Sequence, residues 1–358
     1  MPLVQIHGMI DPHTHLRDLD WADKATFATE TKAAIAAGYW AVFDMPNTAP
    51  STTDEDRLKH KLRRLDRDAH CDWGLYFGAS QSDNSDTYEK IASRVCGLKI
   101  YNNSTTGDLL IHRQSDRERH YRAWSANKLI AVHAEEETVR DILALVRKYR
   151  QPTHFLHISS AREIDLLTQA KEDGLPVTVG VCPHHLFLTE DDLATLGPYG
   201  LMKPPLKSRE DQRALWKAIS LGVVDIIETD HAPHTFADKE SDSPPFGVPG
   251  LDTALPLMLR AVRDGRLSLE QTINMLSRNV QRIWRVSPLP KTYTLVDTDH
   301  SYVVERKNLR TKCGWSPFEG LRVYGKIREV WIRGHLVFDG EDVISPPGFG
   351  RNLFGLVA

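Results

Sequence analysis

Cysteine is scarce in this chain, with four in 358 residues: Cys71, Cys96, Cys182 and Cys313. None forms a Cys-x-x-Cys pair, which excludes a dense disulfide framework. All four read as buried thiols in a reducing cytoplasm. Long apolar runs are missing too, so no membrane-spanning helix is expected. No excess of one charge exists: 45 Lys and Arg face 48 Asp and Glu, a net charge of −3. That balance argues against nucleic acid as a partner. The N-terminus has no charged-then-apolar lead, and the expectation is a cytoplasmic protein. No Gly-rich turn follows the first strand-like segment, which disfavours a doubly wound nucleotide-binding sheet. Short repeats and low-complexity tracts are absent.

What is present is a globular composition, 41% apolar and 26% charged. Length allows two average domains or one large barrel with an appendage. Apolar runs recur at 9–15, 39–45, 73–79, 97–101, 129–133, 153–157, 177–182 and 225–230. Helical patterns lie between or after them, at about 23–37, 54–66, 84–94, 116–126, 136–149, 161–173, 208–221 and 251–263. Gly38 and Gly174 sit where helix C-terminal glycines are expected. Eight strands alternating with eight helices predict an α/β fold, a closed TIM-like (β/α)8 barrel. Two more helices are expected at 268–285. Short β signals at 293–296, 302–304, 327–332 and 335–338 predict a small β appendage, pairing with residues 2–7. The expected division is 8–285 for the barrel, with 1–7 and 286–358 forming the appendage and an extended C-terminal arm.

Barrel enzymes carry their chemistry at the C-terminal strand ends. His13 and His15 close the first strand and, two apart, share a face. Lys99 lies in the fourth, His133 and His157 end the fifth and sixth, and Asp230 ends the eighth. Each interrupts a run that should be buried, where an unpartnered polar group is costly. Convergence on the barrel mouth resolves that cost and suits two divalent ions. His13, His15 and Asp230 would hold one ion, and His133 and His157 the other. Charge balance calls for an anion between them, and Lys99 can supply one as a carbamate. The alternative is a lysine paired with Asp230 in a metal-free site. Arg17 adds a planar fork for a carboxylate or phosphate. His7, His60, His70, His112, His120, His300 and His335 lie in polar or terminal contexts and read as surface residues. His154 reads as structural. His184 and His185 read as either supporting or structural, and His231 should face away from Asp230.

These residues sit in motifs that resemble dihydroorotases of the amidohydrolase superfamily. The resemblance runs from about residue 3 to 350. It is carried by Asp-Pro-His-Thr-His-Leu-Arg (11–17), Met-Pro-Asn-Thr (45–48), Gly-Leu-Lys-Ile-Tyr (97–101), Val-His-Ala-Glu (132–135) and Pro-His-His-Leu-Phe-Leu (183–188). Thr-Asp-His-Ala-Pro-His-Thr (229–235), Val-Pro-Gly-Leu-Asp-Thr (248–253) and Trp-Ser-Pro-Phe-Glu-Gly (315–320) complete it. Within the family the chain looks most similar to the dihydroorotase domain of the animal multifunctional pyrimidine enzyme.

The resemblance implies two zinc ions bridged by carboxylated Lys99, on the same six residues. It implies that Arg17, Asn47 and His234 contact the substrate carboxylate and ring edges, with backbone groups at Pro249 and Gly250. Residues 102–107 match a mobile catalytic loop that carries Thr105. The implied reaction is reversible cyclisation of N-carbamoyl-L-aspartate to (S)-dihydroorotate in pyrimidine biosynthesis, with Asp230 as general acid and base. A homodimer and association with an aspartate transcarbamoylase are left open. Three departures stand out. Thr106 replaces a loop phenylalanine and is expected to alter loop packing. Leu156 replaces a cysteine, so a third zinc is not expected. Lys203 replaces a pocket arginine, keeping the charge but not the bidentate fork. Another cyclic amidase (hydantoinase or allantoinase) and an inactive scaffold partnering a transcarbamoylase are the competing readings.

Overall fold

A computed structural model describes residues 3–124 and 127–355. Eight parallel strands follow one another in spatial order: β2 (Ile10–Thr14), β3 (Ala41–Asp44), β4 (Asp72–Gly78), β5 (Gly97–Tyr101), β6 (Ile130–His133), β7 (Thr153–Phe155), β8 (Val177–Val181) and β9 (Ile226–Ile227). All but one of their residues are buried, which is why they read as continuous apolar runs rather than alternating ones. The seam between β9 and β2 closes through a parallel bridge, Thr14 to His231. His15 N–H donates to His231 O at 2.7 Å. Asp11 reinforces it, accepting from the backbone N–H of Thr229 at 3.2 Å and from the Thr229 hydroxyl.

Helices cover the outside. Several begin where a side chain caps orphaned backbone N–H groups. Ser160 and Glu163 form a capping box for helix Ala161–Glu172, and Ser208 and Asp211 for helix Arg209–Ser220. The expected helix at 84–94 is instead three short turns, Ser85–Thr87, Tyr88–Ile91 and Ala92–Arg94. The expected helix at 116–126 is Gln114–Ala123, and its last two expected positions lie outside the described residues. At 268–285 two helical pieces, Leu269–Ile273 and Asn279–Trp284, join through a π-type turn, Asn274–Arg278.

A second, antiparallel sheet runs β1 (Val4–Ile6), β10 (Tyr293–Val303), β11 (Arg322–Ile332) and β12 (His335–Phe338). The two short β signals at 293–304 belong to one strand, interrupted by an irregularity between Asp297 and Ser301. Val296, Val330 and Ile332 join the same apolar core as the barrel, so the sheets pack as one body. The C-terminal arm returns to the barrel. Trp73 N–H donates to Arg351 O, Leu353 N–H donates to Trp73 O, and Phe354 packs edge-on to Phe43. Gly74 makes room for that ring, because a Cβ there would lie 2.7 Å from Phe354.

Candidate metal centre and substrate pocket

The strand ends bring His13, His15, Lys99, His133, His157 and Asp230 around one pocket, all of them buried. One carboxylate oxygen, Asp230 Oδ1, lies 3.0 Å from His13 Nε2 and 3.1 Å from His15 Nε2. On the other side, His133 Nδ1 and His157 Nε2 are 2.9 Å apart. The His13 and His157 rings link the two halves at a centroid distance of 5.1 Å. His157, Asp230 and Arg17 have φ of +36°, +47° and +62°. Such conformations cost about 1–3 kcal/mol each for non-glycine residues and persist where surroundings enforce them.

The donor set fits divalent cations. Burial outweighs the pull of Asp230 and lowers the pKa of His15 to about 4, so its ring is neutral with one N–H. Donation of that N–H from Nδ1 to Asn47 Oδ1, at 2.8 Å, leaves Nε2 with a lone pair facing the Asp230 carboxylate. A cation between the two relieves that contact. Burial also lowers the pKa of His133 and that of His157, leaving both rings neutral and able to ligate. For Asp230 burial favours the neutral form, but the charge and hydrogen bond of His13 outweigh it and hold it well below the usual carboxylate range. His13 Nδ1, His157 Nδ1 and Lys99 Nζ are buried and without hydrogen-bond partners. Lys99 is therefore not held by a hydrogen bond to Asp230. Its ammonium lies 4.5 Å over the Tyr101 ring, and burial lowers its pKa to about 7.

Beside this cluster, Arg17 Nε donates to Pro233 O at 3.1 Å and Nη2 lies 3.1 Å from His234 Nε2. Nη1 has no partner although the side chain is buried and lines the pocket. Burial and then the Arg17 charge lower the pKa of His234 to about 2, so this imidazole stays neutral. His234 acts behind Arg17 rather than in the pocket wall. Asn47 lines the pocket, yet its amide is committed at both ends: Oδ1 to His15, and Nδ2 donating to Thr106 O at 2.8 Å. Thr105 and Thr106 roof the pocket, and Thr106 Oγ1 donates to Phe246 O at 3.2 Å. This hydrogen bond gives the loop a polar tie at Thr106. Lys203 lines the pocket with its ammonium 4.9 Å over the Phe246 ring.

Pro249 and Gly250 are buried and do not line the pocket. Gly250 N–H donates to His231 Nδ1 at 3.1 Å, while Phe246 and Gly247 form the wall. That wall is held from beneath by Lys239, whose Nζ donates to the carbonyls of Leu201, Pro245 and Gly247. His231 faces away from Asp230, with Nε2 2.7 Å from Glu30. Two histidines read as exposed are buried. His120 lies 2.6 Å from the Tyr88 hydroxyl, and His70 Nδ1 donates to Ser345 O at 2.7 Å. His184 and His185 are buried next to Cys182, with ligand-capable atoms of the three within 4.8 Å. Glu228, fully buried among His13, His154 and His157, was not singled out from the sequence. Its place two residues before Asp230 in an apolar run is the signal that could have found it.

Residues 6–286 match the amidohydrolase family. The chain is 40% identical over 352 residues to the multifunctional protein CAD of Squalus acanthias, covering 98% of this chain and 16% of that protein. It is 33% identical over 368 residues to a dihydroorotase of Pyrococcus furiosus, covering 96% of this chain and 84% of the relative. Among solved structures, it superposes on the L-hydantoinase of Arthrobacter aurescens with a TM-score of 0.93 at 24% identity, covering 98% and 89% of the two chains. At that identity the likeness concerns the fold. It is also similar to the inactive dihydroorotase-like domain of a Chaetomium thermophilum CAD-like multifunctional protein, with a TM-score of 0.82 at 27% identity, covering 99% and 100%.

Proposed function

The chain belongs to the amidohydrolase family and to its dihydroorotases, and on that premise we propose that it interconverts N-carbamoyl-L-aspartate and (S)-dihydroorotate. The observation that carries the reading is the buried Arg17 guanidinium, with Nη1 free, beside a complete set of metal-capable side chains. A neutral cyclic amide offers that cation only carbonyl oxygens, whereas a ring carboxylate offers opposite charge and two acceptors.

In this reading His13, His15 and Asp230 hold one divalent cation, zinc by preference, and His133 and His157 a second. Lys99, on adding CO2 to its amine with release of a proton, would supply an anionic carbamate as a further ligand. With its pKa at about 7, Lys99 presents the reactive neutral amine near neutral pH. When bound, the cations polarise the amide carbonyl and acidify the attacking water. Arg17 holds the substrate carboxylate and so sets which carbonyl carbon faces the water. In ring opening, Asp230 accepts the water's proton at its carboxylate and delivers it to the departing ring nitrogen. In ring closure it removes a proton from the attacking nitrogen. The Thr105–Thr106 roof excludes bulk water, and Lys203 adds positive charge at the rim.

Placement in pyrimidine biosynthesis, a cytoplasmic location, a homodimer and association with an aspartate transcarbamoylase accompany this reading. No described helix is long and apolar enough to cross a membrane. The test is an absorbance assay of dihydroorotate ring opening by metal-loaded protein, with hydantoin and allantoin as controls. Turnover of dihydroorotate well above both supports the reading. Preference for hydantoin or allantoin overturns it in favour of another cyclic amidase.

A further inference from the structure

Glu228 is a carboxylate with no exposed surface, enclosed behind the metal centre. Its two oxygens are used on three sides. Oε1 accepts the backbone N–H of His157 at 2.6 Å, and the same oxygen lies 3.6 Å from His13 Nδ1. Oε2 lies 3.2 Å from His154 Nε2, while His154 Nδ1 is fixed 2.8 Å from Thr178 Oγ1. Space for the carboxylate comes from Gly180 on β8. A Cβ there would meet Glu228 atoms at 2.5, 2.6 and 3.0 Å, and these are its three nearest neighbours.

Two of these contacts bear on the metal ligands. His13 Nδ1 is buried and has no hydrogen-bond partner, and Glu228 is the carboxylate that faces it. Histidine ligands usually donate their second ring N–H to a carboxylate or carbonyl, which fixes the tautomer and aims the other nitrogen at the metal. For His13 that other nitrogen is Nε2, the one facing Asp230. His157 has a φ of +36°, and its backbone N–H is anchored on Glu228. A conformation of that kind needs support from its surroundings.

We propose that Glu228 is a positioning residue for both metal sites, orienting the His13 ring toward one cation and holding the His157 backbone so that its ring reaches the other. The proposal rests on the metal-binding reading above, but not on the identity of the substrate.

The experiment uses the full chain, stripped with a chelator and titrated with Zn2+ and Co2+ against a competing chelator, as wild type, Glu228→Ala and Glu228→Gln. Thermal melting of each metal-free protein is measured alongside. For Glu228→Ala the affinity of both sites should fall by about 10- to 100-fold, with a changed Co2+ absorption spectrum. Glu228→Gln keeps the shape and an acceptor for the His157 N–H. It should lose less at the second ion than at the first. Wild-type affinity in folded Glu228→Ala overturns the proposal alone, and so does a fall in metal-free melting temperature without loss of affinity. A wild-type chain that binds neither metal overturns the metal reading and this proposal with it.

Discussion

Nδ1 of His15 donates to Oδ1 of Asn47 at 2.8 Å, across 32 residues of sequence. The same Asn47 amide donates to Thr106 O. One side chain therefore orients a metal-ligand candidate and ties down the pocket roof. Asn47→Ala should weaken metal retention by about 10- to 100-fold, as expected for loss of a group supporting a ligand. It should also lower kcat at saturating metal by freeing the roof. Wild-type metal retention in a chelator-competition assay would show that His15 does not depend on Asn47.

Arg17 offers Nη1 to the pocket while its other nitrogens are held by Pro233 and His234. Arg17→Met removes a charge-assisted hydrogen bond of roughly 1.5–3 kcal/mol. That corresponds to about a 10- to 150-fold loss in kcat/KM for dihydroorotate. A neutral cyclic amide should be affected far less, and equal losses on both would remove Arg17 from the carboxylate role. Arg17→Lys should recover only part of the loss, since lysine lacks the fork.

Lys99 has neither a hydrogen-bond partner nor exposed surface. Lys99→Ala should bind fewer than two equivalents of metal and lose activity by orders of magnitude, with partial recovery on adding a short carboxylate such as acetate. Intact-protein mass spectrometry of the native wild type should show one added CO2. Full activity in Lys99→Ala would eliminate the carbamate bridge.

Glu30 ties the barrel seam to the C-terminal segment. It is fully buried and lies 2.7 Å from His231 Nε2, and it accepts from the Thr311 hydroxyl at 2.6 Å and from Lys312 N–H at 3.1 Å. Burial raises its pKa, but His231 and these donors outweigh burial and bring it below 4.5. A depressed folded-state pKa gives stability that is complete above the unfolded value of 4.5 and lost as pH falls through the lower folded value. Glu30→Ala should cost about 1–3 kcal/mol for each buried donor it leaves unpaired. Denaturant titrations at neutral pH and below pH 4.5 should show a wild-type to Glu30→Gln gap that shrinks on acidification. A gap independent of pH would mean that the Glu30 charge is not what stabilises the seam.

Much of the fold was legible because strands buried on both faces read as unbroken apolar runs. The polar interruptions at their ends (His13, His15, Lys99, His133, His157 and Asp230) are the groups the fold brings together. What the sequence hid depends on distant packing. His120 looks exposed on a polar helix and is buried because Tyr88, 32 residues earlier, lies against it. Phe246 and Gly247 became the pocket wall through Lys239, in a loop with no periodicity to read. Asn47 stands at the pocket, as its motif implied, but its hydrogen bonds go to His15 and Thr106, a commitment that only the closed barrel reveals. Glu228 was hidden in an apolar run, and the space it fills is created by Gly180 on a neighbouring strand.

The central claim is that this pocket, loaded with divalent metal, opens and closes the dihydroorotate ring. Its most direct test is the rate of absorbance loss at fixed dihydroorotate concentration, measured beside metal content on one preparation. The account predicts about two metal ions per chain, turnover that vanishes on chelation and returns with Zn2+, and little turnover of hydantoin. A folded protein carrying two metal ions that leaves dihydroorotate unchanged would contradict it.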